Sequence, residues 1–221
     1  MEHTWDFSAV LANRQLLLLG LQNTLKLGLT CLVLGLFFGM FVGAARYARA
    51  PVWHWPATAF VEVFRNTPVL VQIMWFFFAF PIISPFEINA FTAAALGLTL
   101  NTTAFSAEIY RAGIQSIERG QWEAAKALGM GYAQQLRRIV LPQAIRRMIP
   151  AFMNRAVELM KMTSLASVIA YGELMHQAKT ISTIEFNPIE MYTVVALVFF
   201  AMIWPAAILV QRFERRGHAK G

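Results

Sequence analysis

Charged side chains are scarce in this chain, which excludes an ordinary soluble domain. Only 14% of its 221 residues are Asp, Glu, Lys or Arg. Soluble domains contain about 25% of these residues. The composition is instead 57% hydrophobic. We therefore predict an integral membrane protein, organised as a single membrane domain over residues 1–221.

Several chemical motifs are also missing. The single cysteine, Cys31, lies in an apolar run and cannot form an intrachain disulfide, so we interpret it as a small buried hydrophobe. The four histidines are scattered and no H-E-x-x-H motif occurs, which argues against a metal site. No phosphate-binding G-x-x-x-x-G-K-[ST] loop occurs, so we expect no ATP site on this chain. No basic residue precedes Arg14, which predicts that the first segment is retained rather than cleaved.

Five apolar stretches are candidates to cross a bilayer core of about 30 Å, which needs about 20 helical residues. They cover residues 27–45, 66–83, 88–107, 148–172 and 191–210. We expect the second helix to start near Ala57 and to be kinked at Pro68. The fourth stretch is interrupted by Arg155, Glu158 and Lys161.

Lysine and arginine are unevenly distributed between the two sides of such a bundle. If the N-terminus is outside, residues 46–65, 111–147 and 212–220 are inside and hold 14 of the 19 basic residues. The positive-inside rule thus predicts an external N-terminus and an internal C-terminus, with an outer loop over 173–190. The basic tail, with Arg212, Arg215, Arg216 and Lys220, is expected to contact anionic membrane lipid. We attribute the net charge of +7 to these loops and expect no nucleic-acid binding.

The basic loop before the fourth stretch predicts two short helices outside the bilayer. Residues 121–128 favour a helix, with Glu123 in its first turn and Gly129 at the left-handed position that ends it. Residues 132–140 predict a second helix, and Pro142 the start of a third.

Small and aromatic residues in the first of these helices suit docking to another protein. Ala124 and Ala125 allow close approach, while Trp122 and Leu128 offer apolar anchors. An amphipathic helix resting on the membrane surface is the alternative.

The residues of this loop resemble a known family motif. Glu123-Ala124-Ala125, Gly129 and the run at 139–142 are similar to the EAA loop of permease subunits of ABC importers. The resemblance implies that residues 114–143 form a cytoplasmic coupling loop that inserts a helix into a cleft on an ATPase subunit. It also implies the coupling residues, which are Trp122, Glu123, Ala124, Ala125 and Gly129.

Two further segments resemble polar amino-acid permeases of the histidine/glutamate/glutamine/arginine-type group. Residues 64–72 are similar to F-R-G-T-P-L-L-V-Q, with Asn66 in place of glycine. Residues 161–165 resemble K-D-T-S-L, but Met162 stands where an acid is common, so the role of that acid cannot be transferred. The resemblance covers nearly the whole chain.

This resemblance implies an all-α fold of the type I ABC importer permease kind, with about five spans. The implied function is alternating-access import of a polar amino acid across a bacterial inner membrane. ATP and Mg²⁺ would bind to a separate ATPase chain, so this chain would carry no cofactor and would not be an enzyme. The implied partners are ATPase subunits, a second permease subunit of the same or a homologous kind, a periplasmic amino-acid-binding protein and membrane lipid.

Candidate substrate contacts lie on the third and fourth spans. Glu158, Met162 and Leu165 form one helical stripe, with Thr163 and Ser164 beside it, and Glu158 could receive an ammonium group. The resemblance places a substrate pocket near this stripe. A polar patch containing Asn101 and Glu108 lies on the third span.

Structural roles are the alternatives for these groups. Glu158 could pair with Lys161 or Arg155, and Asn101 could form an interhelical hydrogen bond.

Three rival functions are weighed against an amino-acid importer. An ion-coupled secondary transporter predicts inverted repeats and no EAA-like loop, and we find the loop but no repeat. A membrane-embedded enzyme predicts a nucleophile–base or metal cluster within the bilayer, which the sequence does not contain. An ABC importer subunit for an ion or sugar fits less well with residues 64–68. Neither the identity of the amino acid nor that of the second permease subunit follows from the sequence.

Overall fold

The computed structural model describes residues 5–48 and 50–218, with side chains through residue 210. Every regular element in these ranges is helical, which confirms the predicted all-α class. The α-helices are α1 (Ser8–Ala12), α2 (Arg14–Tyr47), α3 (Pro51–Asn66), α4 (Val69–Met74), α5 (Phe80–Ile83), α6 (Ala90–Gln115), α7 (Arg119–Ala127), α8 (Tyr132–Gln135), α9 (Leu141–Met162), α10 (Leu174–Glu185) and α11 (Pro188–His218). Two π-helical turns, Trp75–Ala79 and Leu136–Val140, and a 3₁₀ helix, Thr163–Ile169, connect some of them.

Helices α2 and α6 form the centre of the bundle through glycines on α2. A β-carbon added at Gly35 would lie 2.5 Å from the Thr102 side chain, and one at Gly39 would lie 2.5 Å from Ser106. Because these positions have no side chain, the two backbones approach more closely than larger residues would allow. The contact between α2 and α6 is therefore specified by small residues rather than by charge.

The second predicted span is broken rather than kinked, so the expectation of one helix starting near Ala57 is wrong. Helix α3 ends at Asn66, and the following segment Val69–Ile83 is inclined to it by 103°. Thr67 is extended because the proline ring of Pro68 disfavours helical backbone at the preceding residue. Gln72 then donates hydrogen bonds to the carbonyl oxygens of Phe64 and Thr67, both at 3.1 Å, which the helix end leaves unpaired.

Length and composition together identify fewer spans than the sequence analysis predicts. In the described residues, α2 and the segment Pro188–Val210 are each long and apolar enough to cross a membrane, and the bent pair around Pro68 would be a third. Helices α6 and α9 have 26 and 22 residues, which is long enough to cross, but both carry polar side chains. The rest of the chain already shields many of these polar side chains, because Asn101, Thr102 and Arg155 are each at most 3% exposed.

The predicted outer loop over 173–190 is largely helical. Its helix α10 packs against α2, where the Thr24 hydroxyl accepts a hydrogen bond from the Leu174 N–H at 3.1 Å. Glu173 is the buried N-cap of α10, and its carboxylate accepts from the N–H groups of Met175 and His176. The side chains of Arg212, Arg215 and Arg216, and all of Lys220, lie outside the described residues, as does Arg49.

Candidate functional site

Helix α7 in the basic loop has well-defined ends. It starts after Glu118, so Glu123 lies beyond its first turn and the prediction for Glu123 is wrong. At its other end, the Gly129 N–H donates to the Lys126 carbonyl at 3.0 Å and the Met130 N–H donates to the Ala125 carbonyl at 3.1 Å. Gly129 has φ +74°. This Schellman motif confirms the predicted glycine-terminated helix.

The two faces of α7 have different environments. Ala125 is buried, and the Trp122 ring stacks on Tyr132 with centroids 5.9 Å apart. Glu123 and Ala124 are exposed, and the Leu128 side chain is 78% exposed. Trp122 and Ala125 therefore hold α7 against its own chain. We call the exposed side the coupling face; it consists of Glu123, Ala124, Ala127 and Leu128.

Residues 132–140 are helical as predicted, and α9 starts at Leu141 with Pro142 in its first turn, which confirms the predicted helix start there. Helix α8 passes through the π-helical turn Leu136–Val140 directly into α9. The wider turn lies just before Pro142, which has no N–H to donate. Trp122 packs against a cluster in which Val140, Ala144 and Met148 are buried, so α7 is joined to the base of α9.

Arg155 is the centre of a polar cluster inside the bundle. Only 2% of this residue is exposed. Its guanidinium donates to Glu158 Oε2 at 2.8 Å, to Asn101 Oδ1 at 2.7 Å and to Thr102 Oγ1 at 3.1 Å. It also lies over the Phe105 ring, 4.4 Å from the centroid. Glu158 thus pairs with Arg155, one of the two structural roles considered above.

Asn101 connects this cluster to the broken second span. While its Oδ1 atom accepts from Arg155, its Nδ2 atom donates to the Phe64 carbonyl at 2.7 Å. Asn101 therefore forms the interhelical hydrogen bonds considered as its alternative role. The end of α3, the middle of α6 and the middle of α9 are linked through this one amide.

The other predicted residues of the fourth span divide between an open cleft and the interior. Lys161 and Ser164 line a cleft of about 500 Å³ together with residues of α11, which are Phe199, Phe200, Ile203, Trp204 and Ala207. The Glu158 side chain, one turn before Lys161, is 51% exposed. Thr163 is buried and Met162 packs against the core, so the structure does not bring these two to the cleft.

Glu108 is placed away from this cluster, two helical turns along α6 from Asn101. Its carboxylate accepts hydrogen bonds from Arg46 and Arg111 and lies 3.8 Å from Arg65. The same Arg46 also lies 3.8 Å from Glu62. These ion pairs join the ends of α2, α3 and α6.

From the sequence, Arg155 was considered only as a partner that could neutralise Glu158, and its position at the centre of the polar cluster was not predicted. An arginine within an apolar stretch was itself the signal, because such charges are rare unless they are bound by protein. Glu173 was not predicted either; its carboxyl pKa is raised to about 7 by burial, against the lowering effect of its two N–H donors. Among the described residues, no group of three or more His, Cys, Asp or Glu is placed to hold a metal ion.

Comparison with known sequences gives consistent matches. The chain is 38% identical over 197 residues to a probable amino-acid ABC transporter permease of Bacillus subtilis, covering 89% of this chain and 87% of the relative. It is 32% identical to an arginine transport system permease of Bacillus subtilis, covering 96% of both chains. It is 33% identical to a glutamate/aspartate import permease of Escherichia coli, covering 97% of this chain and 99% of the relative.

Solved structures and a family profile agree with these matches. A crystal structure of an amino acid ABC transporter with histidines superposes with a TM-score of 0.91 at 34% identity, covering 97% of this chain and 100% of that chain. The profile of a family described as the inner membrane component of binding-protein-dependent transport systems matches residues 35–217. Helix α7 and the polar α9 both lie within that match. The chain therefore belongs to the family of inner membrane components of binding-protein-dependent transport systems.

Proposed function

We propose that this chain carries a polar amino acid across the inner membrane, driven by a separate ATPase. The names of its relatives support an amino-acid substrate, since they include arginine and glutamate/aspartate permeases. The observation that carries the proposal is the contact of α7 with the helical run from Tyr132 to Met162. Trp122 of α7 packs against the buried cluster at the base of α9, and the same run carries Arg155 and Glu158.

Membership of this family indicates which kinds of subunit assemble with the chain. A permease of this family acts with ATPase subunits and a second permease, and it is not itself an enzyme. We further propose that ATP and Mg²⁺ bind to the ATPase, that a periplasmic amino-acid-binding protein delivers the substrate, and that the N-terminus is outside. The positive-inside distribution of basic residues supports this orientation.

The proposed coupling residues are those of the predicted loop, divided by what each side chain contacts. Glu123 and Ala124, with Leu128 beside them, are exposed and would contact the ATPase. Trp122, Ala125 and Gly129 would act indirectly, because they hold the shape and position of α7. An ATPase that pulls on the coupling face would therefore move α9 as well.

The proposed substrate path follows the polar face of α9 towards the cleft. Glu158 and Ser164 would contact the substrate directly, while Asn101 would act through Arg155. The placement of Met162, Thr163 and Glu108 gives less support to the direct contacts predicted for them. A charge exposed to lipid is costly by about 2.5–3.5 kcal/mol, so this face of α9 is expected to face the second permease subunit or water.

The test is uptake of labelled amino acids by vesicles that contain the whole complex. We expect uptake to require ATP and to be abolished by Gly129→Val, because a β-branched residue is strained at φ +74°. Gly131→Val is the matched control, since Gly131 has φ −68° and nothing lies within 4 Å of its added β-carbon. Uptake that persists without the ATPase subunits would refute the proposed mechanism, and normal uptake by Gly129→Val would refute the role of the loop.

A further inference from the structure

A second cavity lies between α6 and α9, beside the polar cluster of Arg155. Its volume is about 380 Å³, and its lining includes Arg65, Phe105, Glu108, Ile109, Arg147 and Met148. Pockets that bind small molecules measure about 300–1,000 Å³ and combine apolar walls with a few polar groups. The guanidinium groups of Arg65 and Arg155 lie 5.2 Å and 4.4 Å from the centroid of the same Phe105 ring. The cavity therefore begins one aromatic ring away from the cluster.

Positive charge predominates in this cavity. The Glu108 carboxylate accepts hydrogen bonds from Arg46 and Arg111, so it is already paired. Arg65 approaches that carboxylate only to 3.8 Å, and its side chain is 34% exposed. Among the side chains that the structure describes, Arg147 has no carboxylate partner, and it donates one hydrogen bond to a backbone carbonyl at the end of α6. Arg65 and Arg147 therefore have N–H donors available for an anion.

The cavity lies on the same face of α9 as Glu158. Arg147, Ala151, Asn154 and Glu158 follow one another at intervals of four, three and four residues, and all four are exposed. Residues at these intervals occupy one side of a helix. Arg147 and Ala151 also line the cavity. One face of α9 thus leads from Glu158 to the cavity.

We propose that this cavity is an inner subsite of the substrate path, in which Arg65 and Arg147 bind the α-carboxylate of the amino acid before its release. This inference rests on the proposed function, because it assigns further residues to the same path. A guanidinium group suits this role because it binds a carboxylate through two parallel hydrogen bonds.

The subsite recognises a group that every amino acid carries, so it does not select among side chains. Arg65 lies in the segment that resembles a motif of the whole permease group, which agrees with recognition of a shared group. The side chain of the amino acid lies against the apolar wall or in the open mouth of the cavity. The preference for one amino acid is therefore set elsewhere on the path.

The test is protection of a cysteine in the cavity from a thiol reagent. Ala112→Cys adds an exposed thiol to the cavity lining, whereas the native Cys31 is fully buried. The permease–ATPase complex in phosphatidylcholine nanodiscs is treated with N-ethylmaleimide in the presence of glutamine, glutamate or arginine. We expect each amino acid that vesicles take up to slow the labelling, and its α-amide derivative, which lacks the carboxylate, to have no effect.

Substitutions of Arg147 in the Ala112→Cys background measure its contribution. Arg147→Gln should raise the amino-acid concentration for half-maximal protection at least about tenfold, because one charge-assisted contact is lost. Arg147→Lys keeps the charge and should raise this concentration less. Arg146→Gln is the matched control, since it removes the neighbouring exposed arginine, which is not among the lining residues, and should leave protection unchanged. Size-exclusion chromatography checks that each variant assembles with the ATPase.

The outcomes separate this inference from the proposed function. ATP-driven uptake without protection of the introduced thiol would overturn the inference and leave amino-acid transport intact. Equal protection by the α-amide, or unchanged protection in Arg147→Gln, would also overturn it. Protection in phosphatidylglycerol nanodiscs without any amino acid would show that the cavity holds an anionic lipid instead. Absence of ATP-driven uptake for every amino acid would overturn the proposed function itself.

Discussion

The contact between α2 and α6 and the outward face of α9 are packed in different ways. On the first, glycines bring two backbones together and no charged side chain intervenes between Gly35 and Gly39. On the second, the side chains of Glu158 and Lys161 are exposed, and an open cleft separates Lys161 from α11. Close packing resists rearrangement, whereas a polar and partly open surface can exchange partners at lower cost. The difference suggests that α2 and α6 form the fixed part of the subunit and that α9 forms the part that moves.

The largest expected effect is a loss of folded protein when a larger side chain forces α2 and α6 apart. Gly39→Leu would place atoms where the Ser106 side chain and the Thr103 carbonyl already lie, at 2.5 and 3.1 Å from the added β-carbon. Overpacking of this kind costs about 1–3 kcal/mol or more, so we expect little folded protein. Thermal unfolding of the purified complex, followed by size-exclusion chromatography, measures the loss. Met40→Leu on the exposed side of the same helix is the control. Equal stability of the two variants would mean that this contact is not the fixed part.

An intermediate effect, a fall in uptake, is expected when the buried guanidinium of Arg155 in α9 is removed. Arg155→Met leaves Glu158 without its partner and Asn101 Oδ1 without a donor, so we expect uptake to fall at least about tenfold. Arg155→Lys should retain part of the activity because it keeps the charge but not the forked geometry. The double variant Arg155→Met/Glu158→Met should be more stable to heat than Arg155→Met alone, since no unpaired carboxylate remains. If the single and double variants were equally stable, Arg155 and Glu158 would not act as a pair.

The smallest effect, a change in ligand affinity, is expected when a negative charge is added to the cleft between α9 and α11. Ser164→Asp would place a carboxylate in the cleft beside Lys161. We expect the ratio of glutamate affinity to glutamine affinity to fall about tenfold, because the added carboxylate repels the anionic side chain but not the neutral one. Ser164→Asn has the same shape without the charge and should behave more like the wild type. A fall of equal size for both ligands would indicate steric obstruction rather than electrostatic repulsion, and competition binding to the permease–ATPase complex in lipid nanodiscs distinguishes the two.

The features that were predicted correctly from the sequence depend on residues that are close to one another in the chain. The glycine-terminated helix at Gly129 follows from local backbone geometry, and the all-α class follows from apolar runs. The contacts of Arg155 could not be predicted, because its partners Asn101 and Thr102 are more than 50 positions away in the chain. The 103° bend at Pro68 was underestimated for a similar reason. A proline predicts a disturbance of the helix, but the sequence does not show that Gln72 and Asn101 donate to the freed carbonyl of Phe64 and stabilise the bent form.

The uninterrupted helical run from Tyr132 to Met162 has a mechanical consequence. At about 1.5 Å per residue it is roughly 45 Å long. Its first half, residues 132–147, belongs to the predicted internal segment, and its second half belongs to the predicted fourth span. The π-helical turn Leu136–Val140 and Pro150 lie within the run and are points at which helices bend. Tilting of the run about a point near its middle would swing its two ends in opposite directions. Met148, which is buried against Gly113 of α6, lies close to that midpoint. Displacement of the end beside α7 would then be accompanied by opposite displacement of the end near Lys161, so a single tilting element could carry movement from the internal loop to the polar face of α9.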